Sequence, residues 1–137
     1  MTPPYVDTNV LIRYITRDEP QQGQRAALLM DQFELGTATA TTCEAVFVEA
    51  VQVLSSWALY NLPRQDIAAY LTRFVRLKGV KLPSKRLYIR ALSLYGSTNL
   101  DFPDALIVAH VERTRAPSVY SFDRDFDRIP GITRQEP

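Results

Sequence analysis

The sequence predicts an α/β fold with a mostly parallel central sheet flanked by helices. Short apolar runs alternate along the chain with longer segments in which apolar residues recur at helical spacing. Several of these segments end at Gly or Pro. Acidic residues follow several of the short runs, and parallel sheets bind ligands beyond the carboxyl ends of their strands. The fold class therefore places these acids at one edge of the sheet.

The first part of the chain follows this alternation. The apolar residues of segment 8–16 share one helical face, and Pro20 separates this segment from the next. Gly36 suits the end of a second helix. We therefore predict strands at residues 5–6 and 38–41, and helices over residues 8–16 and 21–35.

A long helix is predicted over residues 42–60, with Thr42 as its cap. Its stripe at helical spacing consists of Val46, Glu49, Ala50, Val53, Leu54 and Trp57. The next helix, over residues 64–77, has a stripe formed by Ile67, Leu71, Phe74 and Val75. We therefore expect Trp57 to lie at a core or interface position.

The last part of the chain continues the pattern. Pro103 stands in the first turn of an apolar segment, where proline is tolerated. We predict a short strand within residues 79–83, helices over 84–95 and 102–114, a loop at 96–99, and a strand over 116–120. A polar loop over 121–127 and an edge strand at 132–133 complete the prediction.

The bulk composition is that of one soluble globular domain, residues 1–137. The chain is 46% hydrophobic and 23% charged, without an apolar run near the ~20 residues of a membrane helix. No signal peptide is indicated at the start. The lone cysteine, Cys43, excludes an internal disulfide and is expected to be a buried small apolar residue. We predict a cytoplasmic protein that does not enter a membrane.

Charge is distributed unevenly along the chain. Residues 64–90 carry eight basic and one acidic side chain, whereas the segments on either side are net acidic. This asymmetry is suited to attracting a polyanion, and a solvated helix face explains it equally well.

Four acidic residues are predicted at the carboxyl ends of strands or at the helix starts that follow them. Asp7 comes directly after the first strand, and Glu44 lies at the start of the helix after the second. Asp123 lies three residues past the strand that ends at Tyr120, and Asp104 stands in the first turn of an apolar helix. Each acid is also suited to a helix N-terminus, but four of them at one edge indicate a site.

Clustered carboxylates repel one another unless a cation joins them. Oxygen ligands suit Mg²⁺ or Mn²⁺, and a metal-bound water is the nucleophile that phosphodiester hydrolysis needs. No histidine base is required, and the single histidine, His110, is predicted to be structural. The hydroxyls of Thr8 and Ser121 neighbour predicted acids, where they either hold a carboxylate or a metal-bound water or cap a helix.

Four motifs occur in order along the chain. They are Val6-Asp7-Thr8-Asn9-Val10-Leu11, Glu44 early in a helix, Asp101-Phe102-Pro103-Asp104-Ala105-Leu106-Ile107-Val108-Ala109, and Ser121-Phe122-Asp123-Arg124-Asp125-Phe126. With these motifs at this spacing, the sequence resembles the PIN-domain family, and more narrowly the VapC toxins of bacterial toxin–antitoxin pairs. The resemblance extends from Tyr5 to about Ile132.

The resemblance implies an endoribonuclease that depends on Mg²⁺ or Mn²⁺. Asp7, Glu44, Asp104 and Asp123 fall on the family's four acidic positions. Asp7 and Asp104 match the usual metal ligands, while Glu44 and Asp123 would act directly or through water. Ser121 falls where the family often has threonine or serine. The resemblance also implies a homodimer and a small VapB-like antitoxin as partner.

Two acids lie beside these positions. Asp101 and Asp125 are near Asp104 and Asp123 in the sequence, and the spacing favours Asp123 over Asp125 as the fourth acid. Within the basic segment, we expect RNA contacts from Lys78, Lys81, Lys85 and Arg86.

Two other functions remain open at this point. One is an aspartyl-phosphate type hydrolase, although such a phosphatase would be expected to show Asp-x-Asp where this chain has Asp7-Thr8-Asn9. The other is an RNA-binding or interaction module without activity, which would have little reason to place acids where phosphate approaches.

Overall fold

The computed structural model describes residues 2–137. The helices are α1 (Thr8–Thr16), α2 (Pro20–Leu35), α3 (Glu44–Ser55), α4 (Arg64–Arg76), α5 (Lys85–Ser97) and α6 (Phe102–Val111). The strands are β1 (Ser118–Tyr120) and β2 (Thr133–Gln135), with a 3₁₀ helix at Arg124–Arg128 between them. This is the α/β class that the sequence predicts.

The strand pairings among the described residues are parallel. Tyr5 pairs with Thr41 and Ala40 pairs with Val80, so three extended segments lie side by side. The Val6 N–H donates to the Thr41 carbonyl at 2.9 Å, which holds the first two segments in register. β1 and β2 form a second parallel pair. The first three segments therefore end at a common edge, from which α1, α3 and the approach to α5 begin.

α4 and α5 pack along each other in opposite directions. At one end, the Arg64 Nε donates to the Tyr95 carbonyl at 2.9 Å; at the other, the Lys85 Nζ donates to the Leu77 carbonyl at 2.9 Å. A Cβ added to Gly96 would lie 2.9 Å from the Cβ of Ala68, so glycine permits this close approach. α5 continues through Gly96 into the segment where a loop was predicted.

The core lies between the helices and the short sheet. The predicted stripe of α4 is confirmed, because Ile67, Leu71, Phe74 and Val75 are all buried. α1 contributes Leu11 and Ile12, and its predicted bounds are confirmed. Burial of such aliphatic and aromatic side chains stabilises the fold by roughly 1.5–3 kcal/mol each. Within residues 2–137, no helix has the length and apolarity needed to cross a membrane.

The prediction of a helix through residue 60 is wrong. α3 ends at Ser55, and Asn61 adopts a left-handed conformation with φ 49°. The Leu62 N–H then donates to the Leu54 carbonyl at 2.9 Å, so the chain folds back over the helix end. Leu62 packs against the core, while Trp57 is 86% exposed instead of lying at a core position.

Two expectations at the start of α3 are also wrong. Thr42 does not cap the helix: Cys43 occupies the N-cap position, and the Thr42 hydroxyl donates to the Val6 carbonyl at 2.9 Å. Thr42 instead ties the ends of two neighbouring segments together. Cys43 is exposed, because the N-cap position lies at the surface edge of the sheet.

Candidate active site

Asp7 lies between the first extended segment and α1. Val6 is buried and paired with Thr41, so the chain emerges from the sheet at Asp7. One oxygen of Asp7 accepts a hydrogen bond from the Val10 N–H at 3.3 Å, which confirms the predicted helix cap. Asp7 is exposed, whereas Thr8 in the first helical turn is buried. The Asp7 carboxylate is therefore anchored at the sheet edge and accessible to solvent.

Glu44 begins α3, directly beyond the second extended segment. Because Thr42 bonds to Val6, the chain positions that precede Asp7 and Glu44 are linked. The Glu44 Oε1 lies 2.9 Å from the Nε2 of His110, near the end of α6. Asp7 and Glu44 thus follow neighbouring parallel segments, as the sequence predicts.

Asp104 stands in the first turn of α6, one residue after Pro103. Its side chain is partly buried, and burial is the main cause that raises its pKa above the ordinary value of 3.8. The negative charges of Asp101, Asp123 and Asp125 raise the pKa further. The structure therefore brings these four carboxylates together, and we call them the acidic group. Asp7 and Glu44 are not among the charges that raise this pKa.

Asp123 follows β1 and is the N-cap of the 3₁₀ helix. Its Oδ1 accepts from the Asp125 N–H at 2.9 Å, while its own N–H donates to the Ser121 hydroxyl oxygen at 2.9 Å. Ser121 therefore orients the backbone at Asp123. The second carboxylate oxygen of Asp123 accepts no hydrogen bond from residues 2–137. Both carboxylates raise the pKa of Asp104, but their surroundings differ, because Asp123 is exposed and Asp125 is partly buried.

Arg134 on β2 contacts the segment that contains Ser121 and Asp123. Its guanidinium donates to the Ser121 carbonyl at 3.0 Å and to the Asp127 carboxylate at 3.0 Å. The bond to Asp127, followed by one to Glu136, raises the pKa of Arg134. No pattern in the sequence indicated Arg134, because its partners Ser121 and Asp127 lie 13 and 7 positions away, after β1 and in the 3₁₀ helix.

The acidic group lies within electrostatic range but is not arranged for coordination. Ligand oxygens on one Mg²⁺ lie about 3 Å apart, whereas charge repulsion acts over longer distances. Across the described chain, no three Asp, Glu, His or Cys side chains are grouped closely enough to hold an ion. The carboxylate oxygens nevertheless suit a hard divalent cation. Such an ion would offset the negative charge that gathers where Asp104 is partly buried among three other carboxylates.

A cavity of about 650 Å³ adjoins this group. It lies between α3, the start of α4 and the start of α6, with Asp101 and Pro103 on its wall. Asp101 is exposed and is the N-cap residue of α6, although its side chain makes no capping bond to the described residues. Space for part of a ligand therefore exists beside Asp101.

The contact between His110 and Glu44 was missed by the sequence interpretation, which favoured a structural role for His110. The two residues are 66 positions apart, so their spacing carries no signal of the contact. The imidazole is 54% exposed and the Glu44 side chain 44% exposed, so neither belongs to the core.

The four basic residues expected to contact RNA differ in their surroundings. Lys78, Lys81 and Arg86 are exposed. Lys85 is engaged inside the fold, where burial followed by the charge of Lys81 lowers its pKa. Lys81 lies directly beyond Val80, at the same sheet edge as Asp7 and Glu44. Lys81 and Arg86 are therefore more accessible to an anion than Lys85 is.

Comparison with known families identifies the fold. The PIN domain family matches residues 5–132, so the chain belongs to the PIN domain family. PIN domains are generally metal-dependent nucleases, and they commonly act on RNA and in toxin–antitoxin pairs. No curated protein and no solved structure matched the chain.

Proposed function

We propose that this protein is an endoribonuclease that hydrolyses RNA phosphodiester bonds with a carboxylate-bound Mg²⁺ or Mn²⁺ ion. We further propose that it is the toxin of a VapBC-type toxin–antitoxin pair. The observation that supports the nuclease most strongly is the placement of its acids. In a PIN-family chain, Asp7 and Glu44 follow neighbouring parallel segments, while Asp104 and Asp123 belong to one acidic group.

Each acid has a distinct part in this proposal. Asp7 and Asp104 would bind the metal, which supplies an activated water and stabilises charge on the phosphate during attack. Glu44 and Asp123 would bind the metal directly or orient the water around it. Ser121 and Asp101 would support them, Ser121 through the N–H of Asp123 and Asp101 through its charge on Asp104. Thr8, buried beneath Asp7, would hold the start of α1 in place.

The acids repel RNA at a distance, so the proposal needs a basic surface. Lys81 and Arg86 are exposed near the sheet edge and are the strongest candidates for phosphate contacts, with Lys78 further away. Binding through such contacts weakens steeply as salt concentration rises. An RNA affinity that stays flat across a salt titration would contradict this part of the proposal.

The proposed partners follow from the family. PIN domain proteins commonly occur in toxin–antitoxin pairs. We propose a homodimer that a small VapB-like antitoxin neutralises, with the whole of residues 1–137 forming one PIN domain in the cytoplasm. Co-expression with a VapB-like antitoxin, followed by measurement of complex mass, tests this assembly.

The experiment that tests the nuclease is cleavage of total cellular RNA by the purified protein. We expect discrete fragments with Mg²⁺ or Mn²⁺ and none with EDTA. Asp7→Asn and Asp104→Asn should each reduce cleavage by about 10³-fold, because the metal supplies several kcal/mol of transition-state stabilisation.

Asp31→Asn is the matched control. Asp31 is an exposed acid on α2, outside the candidate site, so this variant should cleave like the natural protein. Cleavage that persists in Asp104→Asn would rule out the assigned site. A folded protein that binds metal but cleaves no RNA would favour the interaction module, and a phosphorylated aspartate would favour the aspartyl-phosphate hydrolase.

A further inference from the structure

The side chain of Glu44 has more conformational freedom than its backbone. Its backbone is held at the sheet edge, because the preceding Thr42 is bonded to Val6. Beyond Cα, however, three rotatable bonds control the position of the carboxylate, and an exposed glutamate samples many rotamers. A carboxylate that acts on a metal or its water must be held close to one position. Something besides the backbone has to restrict Glu44.

His110 is the side chain that contacts this carboxylate. Its Nε2 lies 2.9 Å from Oε1, which is a good hydrogen-bond distance. Within residues 2–137, the other oxygen, Oε2, accepts no hydrogen bond. The pair therefore fixes one oxygen and leaves the other accessible.

The position of His110 is itself well supported. Burial holds the end of α6 in place, and Arg113 adds a hydrogen bond to Ser84 at 3.1 Å. Val108 and Ala109, directly before His110, are buried. The imidazole thus projects from an anchored helix end, whereas Glu44 would be mobile without it.

Stability does not account for the contact. Both side chains are about half exposed, and exposed pairs of this kind contribute little to folding. Outer residues that orient a metal-site ligand, by contrast, change metal affinity or activity by about 10–100-fold when removed.

From this geometry we infer that His110 is a positioning residue, which holds the Glu44 carboxylate through Oε1 so that Oε2 faces the metal or its water. This inference rests on the proposed function for the role of Glu44, but the contact itself does not. His110 acts through Glu44 and touches neither the substrate nor the ion.

The test combines His110→Ala, His110→Gln and Glu44→Ala with their double variants, and reads Mn²⁺ affinity by calorimetry. We expect His110→Ala to weaken Mn²⁺ binding by about 10-fold or more, and His110→Gln, which keeps a donor, to recover part of it. In the Glu44→Ala background, His110→Ala should have no further effect. The inference would be overturned if His110→Ala reduced Mn²⁺ affinity equally in the natural protein and in Glu44→Ala, or if it tightened Mn²⁺ binding.

Two further readouts separate this inference from the proposed function. The NMR shift of the Glu44 side-chain carboxyl carbon reports the contact without metal or RNA, and it should move in His110→Ala. An unchanged shift would overturn the inference even if the protein is a nuclease. A changed shift in a protein that binds no Mn²⁺ would instead overturn the proposed function and the positioning role, leaving only the contact.

Glu112→Gln is the matched control. It removes another exposed ionic contact from the same end of α6, with Arg90, without touching Glu44. Its Mn²⁺ affinity and melting temperature should stay close to those of the natural protein. If it weakens Mn²⁺ binding as much as His110→Ala does, the effect belongs to α6 as a whole.

Discussion

The acidic group around Asp104 and the Glu44–His110 pair differ in what surrounds each carboxylate. Asp104 is partly buried among three other carboxylates, and its pKa is raised by burial and by their charges. Glu44 has a protein partner, the His110 imidazole at 2.9 Å. The acidic group therefore concentrates negative charge, whereas Glu44 is held by a side chain of the protein. Under the proposed function, this difference separates the part of the site that would bind metal from the part that is positioned before metal binds.

After Asp104, the largest effect expected inside the acidic group concerns the fourth acid. Asp123→Asn should reduce RNA cleavage by about 100-fold, because it removes a carboxylate with a free oxygen near Asp104. Asp125→Asn should reduce cleavage by less than about 5-fold. Cleavage assays at saturating Mn²⁺ measure both. The reverse ranking would assign the fourth role to Asp125.

Metal binding should stabilise the natural protein measurably. At an Mn²⁺ concentration of 100 times Kd, the gain in the free energy of unfolding is about 2.7 kcal/mol, or roughly 5–10 °C in melting temperature. Asp104→Asn should gain little, since it lacks the central ligand. Thermal melts with Mn²⁺ and with EDTA make the comparison, and equal gains in both proteins would place the ion elsewhere.

The basic surface provides a smaller effect that leaves the acids unchanged. The double variant Lys81→Ala, Arg86→Ala should weaken RNA binding roughly 10-fold and reduce the salt slope by about 2, one for each lost phosphate contact. Arg25→Ala, which removes an exposed cation on α2 outside this set, serves as the control. Filter binding across a salt series measures the slope, and an unchanged slope would exclude these two residues.

The smallest effect concerns the cost of ionising Asp104 in metal-free protein, which arises first from burial and then from the neighbouring acids. Because the folded chain binds the Asp104 proton more tightly than the unfolded chain, ionisation of Asp104 opposes folding. This penalty is absent below the ordinary pKa of 3.8 and complete above the raised folded value. Asp104→Asn should therefore melt roughly 1–3 °C higher than the natural protein at pH 7, and this advantage should vanish in acid. Melting curves with EDTA across pH make the comparison, and a difference between the two proteins that does not change with pH would contradict a raised pKa of Asp104.

Much of the fold could be predicted because the local signals agreed with the tertiary structure. The α4 stripe, the Asp7 cap of α1 and the parallel arrangement are confirmed. The end of α3 could not be predicted, because Trp57 continues the helical spacing while Leu62 returns to cover the core.

The same distinction between local signals and distant contacts applies to the residues of the candidate site. Acids next to strands carry a local signal, so Asp7, Glu44, Asp104 and Asp123 were selected as candidates from the sequence. His110 and Arg134 act through contacts to distant positions, which no spacing reveals. Lys85 looked like a surface cation, but its ammonium is bound to the Leu77 carbonyl.

The most direct test of the account is a crystal structure with Mn²⁺, in which anomalous scattering locates the ion. The account predicts an ion bound to Asp104 and to Asp7 or Asp123, with Glu44 still bonded to His110. An ion bound away from Asp104, or none at Mn²⁺ concentrations that support cleavage, would contradict it.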